Sequence, residues 1–257
     1  MVGPVTVPVV APAEELPGWV TRVRASNPGP MTLDGTNSWV LTTPDGHAIV
    51  VDPGPADEEH LATLARYRPS LILLTHRHLD HVEGLPRLRE LLGEPEVPVW
   101  DRVEEHRTLG GLDLALLATP GHTDDSVCFR VEVGGERAVL TGDTILGRGT
   151  TVLDGDLGDY LRSLQRLAGL GPVPVLPGHG PALADCAAAA RAYLEHREAR
   201  LAQVREARAA GARTAREVVE IVYADVDPAL WPAAEASVRA QLVYLESSAR
   251  GVRWDTP

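Results

Sequence analysis

The sequence predicts an α+β fold of sheets covered by helices, and three observations predict it. Short β-type runs recur between glycine- and proline-rich turns, amphipathic stretches alternate with them, and the C-terminal part is Ala/Arg/Glu-rich helix. Strand character marks residues 19–23, 38–42, 48–51, 71–75, 114–119, 127–133, 138–141 and 173–176. Residues 58–67, 85–92 and 160–167 carry apolar side chains three and four positions apart, as helices laid on a sheet do. A long helix is expected from about Ala182, followed by helices over 215–223 and 229–250, the last ended by Gly251. Thr214 with Glu217 three residues on makes a capping box for the first of these. Val252, Arg253 and Trp254 read as a short strand or wing. The expected division is a larger sheet-containing domain over 1–186 and a small helical domain over 187–257, with the helix from Ala182 bridging the two.

A chain of 257 residues with 44% hydrophobic content is long enough for one sizeable core and a small appended module. Cys128 and Cys186 are too few for a disulfide framework and lie in no CxxC pair, so both are expected as reduced, buried thiols. No apolar run approaches the ~20 residues a membrane helix needs. Residues 1–10 are apolar, but no basic residue precedes them and Pro4 and Pro8 interrupt them, so a cytoplasmic protein without a membrane partner is expected. The net charge of −12 argues against broad electrostatic capture of nucleic acid, although bound dications would reverse the field locally.

The residues that carry chemistry lie just beyond the strands. Five runs lead into an Asp or His: Val51-Asp52-Pro53-Gly54, Thr75-His76-Arg77-His78, Thr119-Pro120-Gly121-His122, Thr141-Gly142-Asp143-Thr144 and Leu176-Pro177-Gly178-His179. The densest is His76-Arg77-His78-Leu79-Asp80-His81, with four potential ligands in six residues directly after an apolar run. Imidazole and carboxylate suit zinc, and a loop lets neighbouring ligands diverge toward two ions. Burying such groups unpaired would cost several kcal/mol, which argues against a purely structural cluster. His47, His60, His106 and His196 lie outside these loops and are expected as surface or packing residues. Tyr160, Trp231, Tyr244 and Trp254 are expected in core or interdomain packing. In Gly147-Arg148-Gly149-Thr150-Thr151 the backbone amides either face a substrate or serve a packed turn, and Arg148 is a candidate partner for an anionic group.

The series His76-x-His78-x-Asp80-His81, then His122, Asp143 and His179 in that order, resembles the metallo-beta-lactamase superfamily. The resemblance implies a four-layer αββα sandwich with two metal ions. His76, His78 and His122 would bind the first zinc, Asp80, His81 and His179 the second, and Asp143 would bridge both. Asp52 would brace the histidine loop. Three further stretches, 27–37, 119–126 and 145–151, are similar to the beta-lactamase-like protein 2 group, in which a winged-helix-like domain follows the hydrolase core. Members of that group include a single-strand endoribonuclease and thioesterases acting on carrier-bound acyl chains. Only residues 144–178 separate Asp143 from His179, too few for the extra domain of the larger RNA-processing enzymes.

The expected activity is therefore hydrolysis of a thioester or related acyl ester. Two dications share a water and lower its pKa from about 16 toward about 7, giving a bridging hydroxide as nucleophile. Asp80 is the expected catalytic residue, orienting that nucleophile and passing its proton to the leaving group. Zinc is the expected metal, with manganese and iron also compatible with the ligand types. A phosphodiesterase acting on single-stranded RNA and a metal-binding sensor without turnover are the alternatives. Nothing in the sequence specifies the oligomeric state.

Overall fold

The computed structural model describes residues 8–93, 99–100 and 106–249. One five-stranded sheet runs in the order β1 (Val20–Arg24), β2 (Asn37–Thr42), β3 (Ala48–Val51), β4 (Leu71–Leu73), β5 (Val99–Trp100). A second contains β6 (His106–Leu109), β7 (Leu112–Ala118), β8 (Val127–Val133), β9 (Glu136–Gly142) and β10 (Val175–Pro177), with β10 at one edge and β6 at the other.

Two-residue alternation stacks the layers. On the first sheet Trp39, Leu41, Ile49, Val51, Leu71 and Leu73 face the second sheet, where Leu114, Leu116, Phe129, Val131 and Leu140 meet them in one buried core. The intervening Val40, Val50 and Ile72 point the other way, onto Leu61 and Leu64 of α1 (Glu58–Ala65) and Leu88 of α3 (Leu85–Leu92). Cys128, Val139 and Val175 of the second sheet likewise turn outward, onto α4 (Leu157–Ala168) and α5 (Cys186–Ala209). Helix, sheet, sheet, helix is the order of layers, as the resemblance implied.

Strand direction places the polar loops together. β3, β4 and β5 are mutually parallel, and β9 is parallel to β10. β7 is antiparallel to β8, which is antiparallel to β9, so β7 points the same way as β9. The C-terminal ends of β3, β4, β7, β9 and β10 thus deliver their loops to one rim. Hydrogen bonds lock the sheets there: Asn37 N–H donates to Gly178 O at 2.7 Å, Trp39 Nε1 to Pro177 O at 3.0 Å, and Val127 N–H to Thr75 O at 2.8 Å.

Beyond α5 the chain forms α6 (Ala215–Val222), a 3-10 turn at Pro228–Leu230 and α7 (Trp231–Ala249). The expected capping box is present: the Thr214 side chain accepts from Glu217 N–H, and the Glu217 carboxylate accepts from Thr214 N–H. Val204 and Ala207 of α5 pack with Val218, Val219 and Val238 in a core of their own, while Tyr193 and Leu201 belong to the core beneath the second sheet. The expected boundary near 186 falls at the first residue of this shared helix. Among the described residues no helix is long and apolar enough to cross a membrane.

Several elements differ from expectation for local reasons. β4 stops at Leu73 because the Thr75 N–H leaves the ladder for the Asp52 carboxylate, 2.8 Å away. Helix α4 begins at Leu157, earlier than expected, because Asp156 caps it, and α5 begins at Cys186, not 182, because Asp185 does the same. Residues 79–82, read as loop, form the single helical turn α2 (Leu79–Val82). The expected wing at Val252, Arg253 and Trp254, with the Gly251 stop, lies outside the described residues. Cys128 and Cys186 are both free and buried, and burial pushes the Cys128 thiol up to about 11.

Candidate metal centre

The seven expected ligands meet at the common rim. His76 and His78 come from the loop after β4, Asp80 and His81 from α2, His122 from the loop after β7, Asp143 from the end of β9 and His179 from the end of β10. They form three overlapping groups: His76, His78 and His122; His76, His81 and Asp143; and Asp80, His81 and His179. In the first group His78 Nδ1 lies 3.1 Å from His76 Nε2 and 3.0 Å from His122 Nε2. Nitrogens bound at ~2.05 Å to one tetrahedral ion lie about 3.3 Å apart, so this spacing fits a shared cation.

The groups meet at Asp143. Its Oδ1 is 3.4 Å from His81 Nε2, while its Oδ2 is 3.3 Å from His179 Nε2 and 3.8 Å from His122 Nε2. Oδ1 is buried and lacks a hydrogen-bond partner of good geometry, the condition of an oxygen shaped to receive a cation. Gly178 makes the approach feasible, since a Cβ there would sit 2.4 Å from that oxygen and 2.6 Å from the His81 ring. Asp80 Oδ2 lies 3.1 Å from His179 Nε2, and 30% of its side chain remains open to solvent.

Groups behind the ligands set which nitrogen faces the centre. Asp52 accepts from Thr75 N–H and Thr75 Oγ1, at 2.8 and 2.7 Å, and its Oδ2 lies 2.9 Å from His81 Nδ1. That is the bracing position implied for it. His122 Nδ1 donates to Val152 O at 2.7 Å, turning Nε2 inward. Thr75 Oγ1 lies 3.0 Å from His76 Nδ1.

Electrostatics without a cation separate the rings into two kinds. Burial, with the neighbouring His81 charge, holds His76 well below the usual histidine range, and burial also lowers His122. Burial opposes protonation of His179 as well, but the Asp143 charge and hydrogen bonds overcome it and push His179 up to about 9. His81 is raised well above its usual range against burial by Asp143 and Asp52. Asp143, despite burial, is held well below the carboxylate range by His81 and His179. Protons on His81 and His179 thus neutralise acids that a cation would otherwise neutralise.

The remaining expectations meet mixed outcomes. His47 and His106 are exposed, whereas His60 is buried with Nε2 2.9 Å from Ser38 Oγ, and His196 is buried on α5. Tyr160 is fully buried and donates to Thr144 O at 2.8 Å; Trp231 and Tyr244 pack against the C-terminal and second-sheet cores, and Trp254 lies outside the described residues. Arg148 donates to Asp34 Oδ1 at 2.9 Å in an exposed pair and also lines the cavity that opens from His122 and Asp143. The glycine before it serves packing, with its N–H bonded to His179 O at 2.8 Å and a Cβ excluded by Pro181 O at 2.1 Å.

Sequence reasoning missed the clamp between loops. Arg77, between two ligands, pairs with Asp124 and with Asp125 at 3.0 Å, joining the His76 loop to the His122 loop. The pair Asp124-Asp125 beside His122 was the available signal. A cavity of about 290 Å³ opens from His122 and Asp143 toward α5 and α7, lined by both apolar and polar side chains with the apolar surface predominating.

Comparison with known proteins agrees with this geometry. Residues 31–111 and 92–179 match the family described as the Metallo-beta-lactamase superfamily, and residues 214–251 match the Beta-lactamase associated winged helix domain. The chain is 37% identical over 214 residues to a Beta-lactamase-like protein 2 homolog of Caenorhabditis elegans, covering 74% of this chain and 71% of that one. It is 34% identical over 195 residues to an Atrochrysone carboxyl ACP thioesterase of Aspergillus fumigatus, covering 68% of this chain and 60% of that one. A solved metallo-beta-lactamase family protein from Thermus thermophilus superposes with a TM-score of 0.69 at 24% identity, over 90% of this chain and 94% of that one.

Proposed function

The chain belongs to the metallo-beta-lactamase superfamily of hydrolases, and on that premise we propose that it hydrolyses a thioester or related acyl ester with two divalent ions, zinc in preference to manganese or iron. One observation carries the reading: seven donor side chains converge, and two of them, His122 and Asp143, line a largely apolar cavity. His76, His78 and His122 would hold one ion, Asp80, His81 and His179 the other, with Asp143 shared. Two such ions supply Lewis acidity that polarises a carbonyl and lets water attack at neutral pH.

The chain's own groups do the rest. Asp52 and the Val152 carbonyl keep the Nε2 atoms of His81 and His122 aimed inward, so the centre needs no reorganisation during reaction. Asp80 is the carboxylate with solvent access; His179 holds it below the usual carboxylate range although burial raises it, so it is ionised at neutral pH. It would take a proton from the attacking water and return one to the departing thiolate as the C–S bond breaks and the new C–O bond forms. The thioesterase named among the relatives supports this substrate class, and so does the acidic surface, which disfavours RNA.

The test is turnover of an acyl-thioester panel and a labelled single-stranded RNA by purified protein of measured metal content. Thioester hydrolysis lost in His78→Ala, with RNA intact, is expected. RNA cleavage with inert thioesters would overturn the reading, and so would neither activity with two metals bound.

A further inference from the structure

The cavity that begins at His122 and Asp143 ends among the C-terminal helices, and its inner wall carries two arginines one turn apart on α5, Arg197 and Arg200. Its remaining lining combines Met31, Leu33, Leu146, Val152 and Val226, which suit hydrocarbon, with polar side chains that include His196 and Arg148, the latter paired with Asp34. Burial of the arginines is nearly complete, at 3% and 8% exposure.

Both are held in place yet incompletely satisfied. Arg197 donates to Thr151 O at 2.5 Å and lies over the Tyr160 ring at 5.2 Å. Arg200 donates from one nitrogen to Val222 O and Gln203 Oε1, each at 3.0 Å, and lies over the Tyr223 ring at 4.4 Å. A guanidinium has five N–H donors, and the Nε of each is buried without an acceptor. Among the described residues neither forms an ion pair with a carboxylate, although the chain carries 36 acids against 24 arginines. Two buried cations left without anions in an acidic protein point to an anion that arrives with the ligand.

Contact order orients that ligand. Thr151 Oγ1 lies 3.0 Å from His122 Nδ1, so Arg197 is one residue removed from a donor of the metal centre, and Arg200 lies a turn further in, beside α6. We infer that the substrate is an acyl thioester whose apolar chain ends in a second anionic group, a carboxylate, received by Arg200 and Arg197 while the thioester carbonyl sits at the metal centre. This rests on the hydrolase reading above and adds the substrate's tail. The reaction is unchanged: water adds its oxygen to the acyl carbon, the C–S bond breaks, and a dicarboxylate and a thiol leave.

The experiment pairs ω-carboxyacyl and methyl-terminated thioesters across a ladder of chain lengths, with metal-loaded protein. The expected result is a preference of at least about tenfold in kcat/KM for the carboxylate-ended member of one length, from its charge-assisted hydrogen bonds. In Arg200→Met that ratio should collapse, with Arg200→Lys recovering part of it. A merely structural arginine would lower both substrates in proportion and leave the ratio unchanged. Calorimetric binding of the product dicarboxylate against the matching monocarboxylate gives a readout independent of turnover. If neither thioester is cleaved, the hydrolase reading fails while this binding comparison still decides the tail. Equal binding and equal turnover of the pairs overturn the inference, as does a substitution effect confined to binding of an RNA oligonucleotide.

Discussion

In the proposed centre Asp143 would serve both ions with one side chain, since its two oxygens face different histidines. Replacing it with alanine would uncouple the sites and leave two positive centres to repel each other. Asp143→Ala is therefore expected to abolish hydrolysis and lower metal content; full activity with two metals retained would contradict the assignment. Asp52 acts at one remove. Asp52→Asn keeps the shape at a residue with φ 53° but removes one acceptor from Thr75 or His81. Metal affinity should fall by about 10–100-fold, measured by competition with a chromophoric chelator. Protons give a third test at this scale. In the metal-free protein His179 titrates at about 9 and His81 is also raised, so both are charged near neutral pH. Their contribution to metal-free stability is complete below the ordinary histidine value, and the part from His179 is lost as pH rises through about 9. Metal must displace those protons, so affinity should rise with pH up to about 9, with net proton release when calorimetry is repeated in buffers of different ionisation enthalpy. Binding without proton release would refute the pairing of these histidines with Asp143. All seven donors that the structure gathers were named from the sequence, His76, His78, Asp80 and His81 by their density behind an apolar run, and His122, Asp143 and His179 by their strand-end loops together with the family resemblance. Arg197 and Arg200 were not, since nothing in an Arg-rich helix says which arginines the fold will bury.

At the scale of elements, strands with apolar residues facing both layers announced themselves. Ala48–Val51 and Val127–Val133 matched expectation residue for residue, because each must feed a core on either side. β6 did not, being a largely exposed polar edge without alternation, and α2 is a single turn, too short for periodicity to register. Ile72 shows what the outward face contributes. It is fully buried between β4 and the helices α1 and α3, so Ile72→Ala should cost about 2–5 kcal/mol in chemical denaturation. The Thr214 cap, seen from the Thr-x-x-Glu spacing, is a smaller matter. Thr214→Ala should cost about 0.5–2 kcal/mol, without altering metal content, because α6 carries none of the seven proposed ligands.

Across the whole molecule, the two sheets contribute the proposed ligands from opposite sides of one rim, so neither sheet holds a complete set alone. His76, His78, Asp80 and His81 come from the first, and His122, Asp143 and His179 from the second. The αββα order followed from the family resemblance; the wall that α5 and α7 build over the cavity did not, because it depends on how the C-terminal helices dock. A centre shared between the sheets should tie metal binding to global stability, since ions bound only by the folded state stabilise it by mass action. The most direct test of the central claim is elemental analysis of purified protein equilibrated with zinc and freed of excess metal. Two equivalents per chain are predicted, and one equivalent or none would contradict the dinuclear centre.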